Sequence, residues 1–116
     1  MKVIIAGSRT LTYWKDVEEA VEESGFKISQ VVSGGAAGVD ANGEAWAARR
    51  NIPVKVFYPD WDTYGKSAGP MRNQQMASYA DALIAVWDGK SRGTRDMIKR
   101  ANVCGLRVYV KLVYAR

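Results

Sequence analysis

This 116-residue chain is predicted to form an α/β fold, a Rossmann-like three-layer α/β/α sandwich around a mainly parallel five-stranded sheet. Two observations carry the prediction. Five short β-type runs alternate with four segments of helical period, the signature of successive βαβ units. Three of those runs also end in small-residue turns that lead towards a helix: Ala6-Gly7-Ser8-Arg9-Thr10, Ser33-Gly34-Gly35-Ala36-Ala37-Gly38-Val39-Asp40 and Trp87-Asp88-Gly89-Lys90-Ser91-Arg92-Gly93-Thr94. Right-handed crossovers place such turns on the carboxyl edge of the sheet, where open α/β folds hold their ligands.

Each element has its own local signal. Lys2–Ala6 reads as the first strand. A helix over about Tyr13–Ser24 follows, with Trp14, Val17, Val21 and Ser24 on one face and Gly25 as its stop. Ile28–Ser33 is the second strand, and Val39–Arg50 the second helix, aligning Val39, Gly43, Trp46 and Ala47. Pro53–Tyr58 is the third strand; Pro59–Gly69 has turn residues without a sustained period and reads as a loop. Pro70 suits the first turn of a helix over Pro70–Ala80, because the N–H it lacks has no helical partner there. Ala82–Trp87 is the fourth strand, Gly93–Cys104 a helix with Met97, Ile98 and Ala101 inward and Gly105 as cap, and Leu106–Val113 the fifth strand. No repeat, linker or low-complexity tract divides residues 1–116, which are read as a single domain.

Composition narrows the chemistry. The chain has no histidine, which removes the usual general base, the commonest zinc ligand and every serine–histidine triad. Its one cysteine, Cys104, allows no disulfide framework and reads as a small core residue at a helix end. No apolar run approaches the length of about 18 residues that a membrane span needs, and the Met1–Ala6 stretch is too short for a signal peptide, so the chain is read as cytoplasmic. A net charge of +5, spread along the chain rather than blocked, suits an anionic partner and equally suits solubility.

Two familiar fingerprints fail. Gly34-Gly35-Ala36-Ala37-Gly38 lacks the spacing of G-x-G-x-x-G, and Gly89-Lys90-Ser91-Arg92-Gly93-Thr94 lacks that of the P-loop. Chemistry is nevertheless available in the turns. Gly34, Gly35 and Gly38 have no Cβ to keep a ligand from the backbone, Ser33 can donate to a phosphate or cap its own turn, and Asp40 suits either the helix dipole or a ribose hydroxyl. Thr94, Ser91 and Arg92 supply donors and charge at the fourth-helix turn. Lys66 lies in the long loop. Arg72 and Asn73 open the third helix, where the dipole disfavours a cation and an anionic ligand would favour one. Trp46 and Trp87 fit the core pattern, leaving Trp61 and Tyr64 to stack on a base. Asp81, Asp88, Asp96 and Glu44 are the carboxylates nearest the crevice, and none sits at metal-ligand spacing.

Taken together, Ile4–Arg9, Val32–Asp40, Gly69–Met76, Ala80–Ala85 and Asp88–Thr94 resemble the SLOG superfamily, named for the Smf/DprA and LOG proteins, and within it the small bacterial and phage branch related to YspA. The resemblance runs nearly end to end. It implies a Rossmann-like fold binding nucleotides or nucleotide-derived molecules, with the Gly7-Ser8-Arg9, Ser33–Asp40 and Arg92-Gly93-Thr94 turns around the ligand. It also implies a homodimer or higher homo-oligomer. LOG-type members are phosphoribohydrolases with an Arg-Lys-x-x-Met helix segment and a Pro-Gly-Gly-x-Gly-Thr-x-x-Glu turn. Arg72-Asn73-Gln74-Gln75-Met76 matches the arginine and methionine, whereas Met97 takes the place of the catalytic glutamate, with Asp96 one residue earlier.

The leading expectation is a domain that binds a phosphate-bearing, nucleotide-derived ligand of the ADP-ribose or NAD-derivative kind, to sense or sequester it, without a metal or cofactor of its own. Arg9, Arg72 and Arg92 would neutralise phosphates, and Asp40 or Glu44 would accept from ribose hydroxyls. Two alternatives stand beside it: a nucleotide N-glycoside hydrolase using Arg72 with Asp96 or Glu44, and single-stranded DNA binding as in the DprA branch.

Overall fold

Burial on both faces of the central strands organises the molecule. In the computed structural model, which describes residues 1–114, Val3, Ile4, Ile5 and Ala6 are all buried in strand β1 (Lys2–Gly7), as are all of Ala82–Val86 in β4 (Ala82–Trp87). Such unbroken apolar runs belong to strands covered by helices on both sides. Alternate residues then divide between two cores. Val3, Ile5 and Ile84 pack under helices α1 (Trp14–Ser24) and α2 (Val39–Arg49). Ile4, Ala6, Leu83 and Ala85 pack under two further helices, of which α4 (Ala68–Tyr79) contributes Met76 and Ala77, and α5 (Arg92–Val103) contributes Met97 and Ala101. Each fully buried aliphatic side chain contributes about 1.5–3 kcal/mol.

The remaining strands are β2 (Gln30–Ser33), β3 (Val54–Val56) and β5 (Arg107–Leu112). The sheet order is β3-β2-β1-β4-β5, and every pairing is parallel. The chain therefore builds outward from β1 through β2 to β3, then returns to lay β4 on the other side of β1. This reversal parts the connections leaving β1 and β4, whose ends are paired through Gly7 and Val86, and opens a crevice beyond their carboxyl ends.

Five local expectations are corrected. Trp14 is 45% exposed rather than in the core: the inward face of α1 is carried by Val17 and Ala20, and the indole lies on the surface beside Lys15 and Arg49, each 5.6 Å from its ring. The predicted Pro59–Gly69 loop contains a short helix, α3 (Trp61–Tyr64), whose Thr63 N–H donates to Asp60 Oδ1 at 3.2 Å, followed by a 3₁₀ turn at Gly65–Ser67. Helix α4 then begins two residues before Pro70, a position still inside the first turn where no N–H is required. Cys104 is exposed at the end of α5, outside both cores. Trp87 is half-buried, its indole N–H donating to the Ser91 carbonyl at 3.0 Å.

Candidate functional site

Ser8 joins the two strands that flank the crevice. Its N–H donates to Val86 O at 3.2 Å and its Oγ accepts from Asp88 N at 3.2 Å, and the residue is only 1% exposed. Asp88 in turn folds the β4–α5 connection, since its Oδ1 accepts from the N–H groups of Lys90 and Ser91, both at 2.8 Å. Those backbone donors hold its carboxyl below the ordinary aspartate range. Ser91 then caps α5, accepting from Thr94 N at 3.4 Å with the two hydroxyls 3.1 Å apart. The result is that the N-terminus of a twelve-residue helix opens onto the crevice.

The turn after β2 forms the opposite wall. Ser33, fully buried, donates from Oγ to Glu44 Oε2 at 2.6 Å and accepts from Gly35 N at 3.1 Å. Ala36 N donates to Asp40 Oδ2 at 3.2 Å, and Val39 N to Ser8 O at 3.4 Å. Gly38 makes this junction possible: its φ is +73°, and a Cβ there would lie 2.4 Å from the Arg9 carbonyl oxygen.

Across the cleft, α4 delivers Arg72 and Asn73. Arg72 donates from Nη1 to Gly34 O at 2.5 Å and from Nε to Asn73 Oδ1 at 3.1 Å. Asn73 donates to Asp96 Oδ2 at 2.9 Å and Gly93 O at 3.2 Å, linking α4 to α5. Burial pushes the Asp40 carboxyl above its ordinary range, against the Ala36 N–H and the nearby charges of Arg72 and Arg9. Burial likewise lowers the Arg72 guanidinium, with Asp40 opposing it. These groups surround a main cleft of about 450 Å³ floored by Ala6, Met76 and Met97. A second lobe of about 380 Å³ adjoins it, sharing Arg9, Ala36 and Arg72 and walled by Gly34, Gly35, Tyr58 and Trp61. The arrangement offers cationic and N–H donors to an anion, a buried carboxyl to a polar neighbour, and an apolar floor.

The family model described as the YspA, cpYpsA-related SLOG family matches residues 1–64. The Gene 61 protein of Mycobacterium phage D29 is 34% identical over 117 residues, covering 92% of this chain and 93% of that protein. The chain belongs to this SLOG family. Its fold is also that of a solved structure, DNA processing protein A (DprA) from Streptococcus pneumoniae, with a TM-score of 0.75 over 94% of this chain at 21% identity. The chain spans 49% of that structure's length.

Within this SLOG domain, the predicted residues divide into three sets. Gly7, Ser8, Arg9, Ala36, Asp40, Arg72, Asn73, Asp88, Ser91, Gly93 and Thr94 line the main cleft. Gly34 and Gly35 line the second lobe. Ser33, Gly38, Val39, Lys66 and Arg92 line neither: the first three shape the glycine turn from behind, while Lys66 and Arg92 are exposed. Of the catalytic candidates, Arg72 faces both cavities. Glu44 bonds Ser33, and Asp96 is held outside the cleft by Asn73 and by Arg100 Nε at 2.9 Å. Lys90, Met76, Met97 and Tyr58 line the cavities without having been chosen as site residues. Met76 was within reach of sequence reasoning, since it stands four residues after Arg72 on one helix face. Tyr58 stands two residues beyond the end of β3, so the carboxyl-edge rule that selects the other turns applies to it too. Among the described residues no helix is long and apolar enough to cross a membrane.

Proposed function

We propose that this SLOG domain binds a phosphate-bearing nucleotide or nucleotide-derived ligand, of the ADP-ribose or NAD-derivative kind, in the main cleft and senses or sequesters it. The observation that carries the reading is the position of Arg72, half-buried between the two cavities and facing the α5 N-terminus across the main cleft. A partly desolvated guanidinium opposite open helix N–H groups favours a phosphate over a neutral solute. Ser91, Thr94 and Arg9 in the same lining add donors, and on this reading the Asp40 carboxyl, also in that lining, accepts from a ribose hydroxyl. Native mass spectrometry of the freshly purified protein, then calorimetry with ADP-ribose, AMP and ribose 5-phosphate, tests the reading. Wild type is expected to bind at least one of them, and Arg72→Ala to weaken that binding by about 10-fold or more, the worth of a hydrogen bond to a charged group. A wild type that binds none of them overturns it.

Hydrolysis of the N-glycosidic bond is the second reading, and the burial of Asp40 redirects it. Glu44 and Asp96 are engaged away from the cleft, and Met97 brings a thioether where the family resemblance expects a catalytic glutamate. Asp40 and Asp88 are the carboxyls that line the main cleft, and because Asp88 Oδ1 is taken by the Lys90 and Ser91 N–H groups, Asp40 is the one this reading uses to stabilise a sugar cation. Incubation with AMP, followed by chromatography for free adenine, separates turnover from binding. On this reading Asp40→Asn abolishes base release while Asp96→Asn leaves it intact; no release by wild type leaves binding alone.

A further inference from the structure

The second lobe has features that phosphate binding does not require. Tyr58, within the β3–α3 connection, and Trp61, the first residue of α3, are large aromatic residues that are 74% and 49% exposed. Each ring lies against a glycine. A Cβ on Gly35 would come within 2.9 Å of Tyr58 Cε1, and one on Gly69 would come within 3.4 Å of the Trp61 ring. The absence of a side chain at Gly35 thus lets the Tyr58 ring seat close to the backbone, Trp61 packs over Gly69 at ordinary contact distance, and both rings keep aromatic surface bare. Arg72 and Arg9 form the boundary with the main cleft, so a phosphate held there sits next to the aromatic wall.

The geometry points to the second lobe as a nucleobase-stacking subsite, in which Tyr58 and Trp61 take the planar ring of a nucleotide whose phosphate lies at Arg72. The inference rests on the proposed nucleotide reading and assigns its ligand an orientation, with the sugar and phosphate on the main-cleft side of Arg72 and the base on the other. Tyr64, the other loop aromatic expected to stack, lines neither cavity. The lobe's aromatic faces and few polar side chains favour stacking over edge-reading of the base, so all four bases are accepted with similar affinity.

The test compares ligands that differ only by the base. Calorimetry measures AMP, GMP, CMP and UMP against ribose 5-phosphate for wild type, Tyr58→Ala, Trp61→Ala, Trp61→Phe and Arg72→Ala, each held well below its own melting temperature so that every variant is folded. Wild type is expected to bind the mononucleotides about 10-fold or more tighter than ribose 5-phosphate, in line with the worth of base–aromatic stacking. Tyr58→Ala and Trp61→Ala remove most of that advantage and leave ribose 5-phosphate within about 2-fold, whereas Trp61→Phe retains it. Equal weakening of both ligand types, or no weakening, overturns the stacking assignment. Arg72→Ala discriminates the two readings: loss of all ligands supports the phosphate site, while retained binding that still depends on Trp61 overturns the phosphate assignment and keeps the stacking lobe. Wild type that binds no mononucleotide overturns both.

Discussion

Arg72 Nη1 meets the carbonyl oxygen of Gly34 at 2.5 Å, tying helix α4 to the glycine turn after β2 across 38 positions of sequence. The contact holds the guanidinium between the two cavities and, through Nε, keeps Asn73 facing α5. A Cβ at Gly34 would stand 2.5 Å from that same Nη1, so the close approach requires the glycine.

Removing this tie affects stability as well as ligand. Arg72→Ala is expected to lower unfolding free energy by about 1.5–3 kcal/mol, the range for a hydrogen bond with a charged donor. Arg72→Lys keeps the charge but not the planar fork, and is expected to recover less than half of the loss. Urea unfolding of the three proteins measures both.

Glu44 acts on the glycine turn through Ser33. Its carboxylate receives the Ser33 hydroxyl at 2.6 Å, which leaves that oxygen to accept from Gly35 N. Glu44→Ala strands a fully buried hydroxyl and is expected to cost about 1–2 kcal/mol; Glu44→Gln keeps an acceptor and costs about half of that. Equal losses in the two variants, read from urea midpoints, would show that the hydrogen bond does not support the turn.

The glycine turns are not equivalent. Gly38→Ala combines a φ of +73° with a Cβ 2.4 Å from Arg9 O, whereas Gly89→Ala combines a φ of +80° with open space. Left-handed strain alone is worth about 1–2 kcal/mol. Gly89→Ala is therefore expected near that value and Gly38→Ala well above it, with thermal melts showing the difference.

Asp40 gives stability an unusual pH slope. Its folded-state pKa is raised, so the folded protein binds more protons than the unfolded chain above the unfolded pKa of about 3.9. Stability contributed by this group is present in full below that value and is lost as pH rises through the folded pKa. Asp88 runs the other way: its pKa is depressed, and its contribution, present above the unfolded pKa, is lost as pH falls through the folded one. The difference between wild type and Asp40→Asn isolates the first effect. The variant is expected to gain on wild type as pH rises from about 4 towards 7, measured by urea unfolding at each pH.

Salt dependence separates the nucleotide reading from the single-stranded DNA reading. A mononucleotide held by Arg72 and helix N–H groups engages one or two phosphates, so its affinity falls shallowly with salt. Binding to a single strand by a basic surface falls steeply, with a log–log slope of about −0.7 for each phosphate engaged. Fluorescence anisotropy with a labelled oligonucleotide over a salt series measures that slope.

Much of this is legible in the sequence. The apolar run Ala82–Trp87 matches β4 residue for residue, and Gly25, the stop the sequence indicates for α1, has a φ of +69°. Both follow from local physics, the first from an apolar run between turn residues and the second from a residue that tolerates left-handed backbone. The α3 segment was not legible, because four residues are too few to show a helical period and its capping by Asp60 resembles an ordinary turn. The exposure of Trp14 is not legible either, since periodicity reports which residues share a face and not which of them the sheet covers.

Turn chemistry and strand periodicity, both properties of neighbouring residues, were enough to determine the parallel α/β plan and to bring most site residues to one sheet edge. The strand order β3-β2-β1-β4-β5 was decided only by tertiary structure, because pairing joins residues far apart in sequence and no local pattern encodes it. The same long-range packing set Arg72 against Gly34, took Asp96 and Glu44 out of the cleft and laid Tyr58 on Gly35. A carboxylate's use depends on the partners the fold brings to it, and those partners are not its neighbours in the chain.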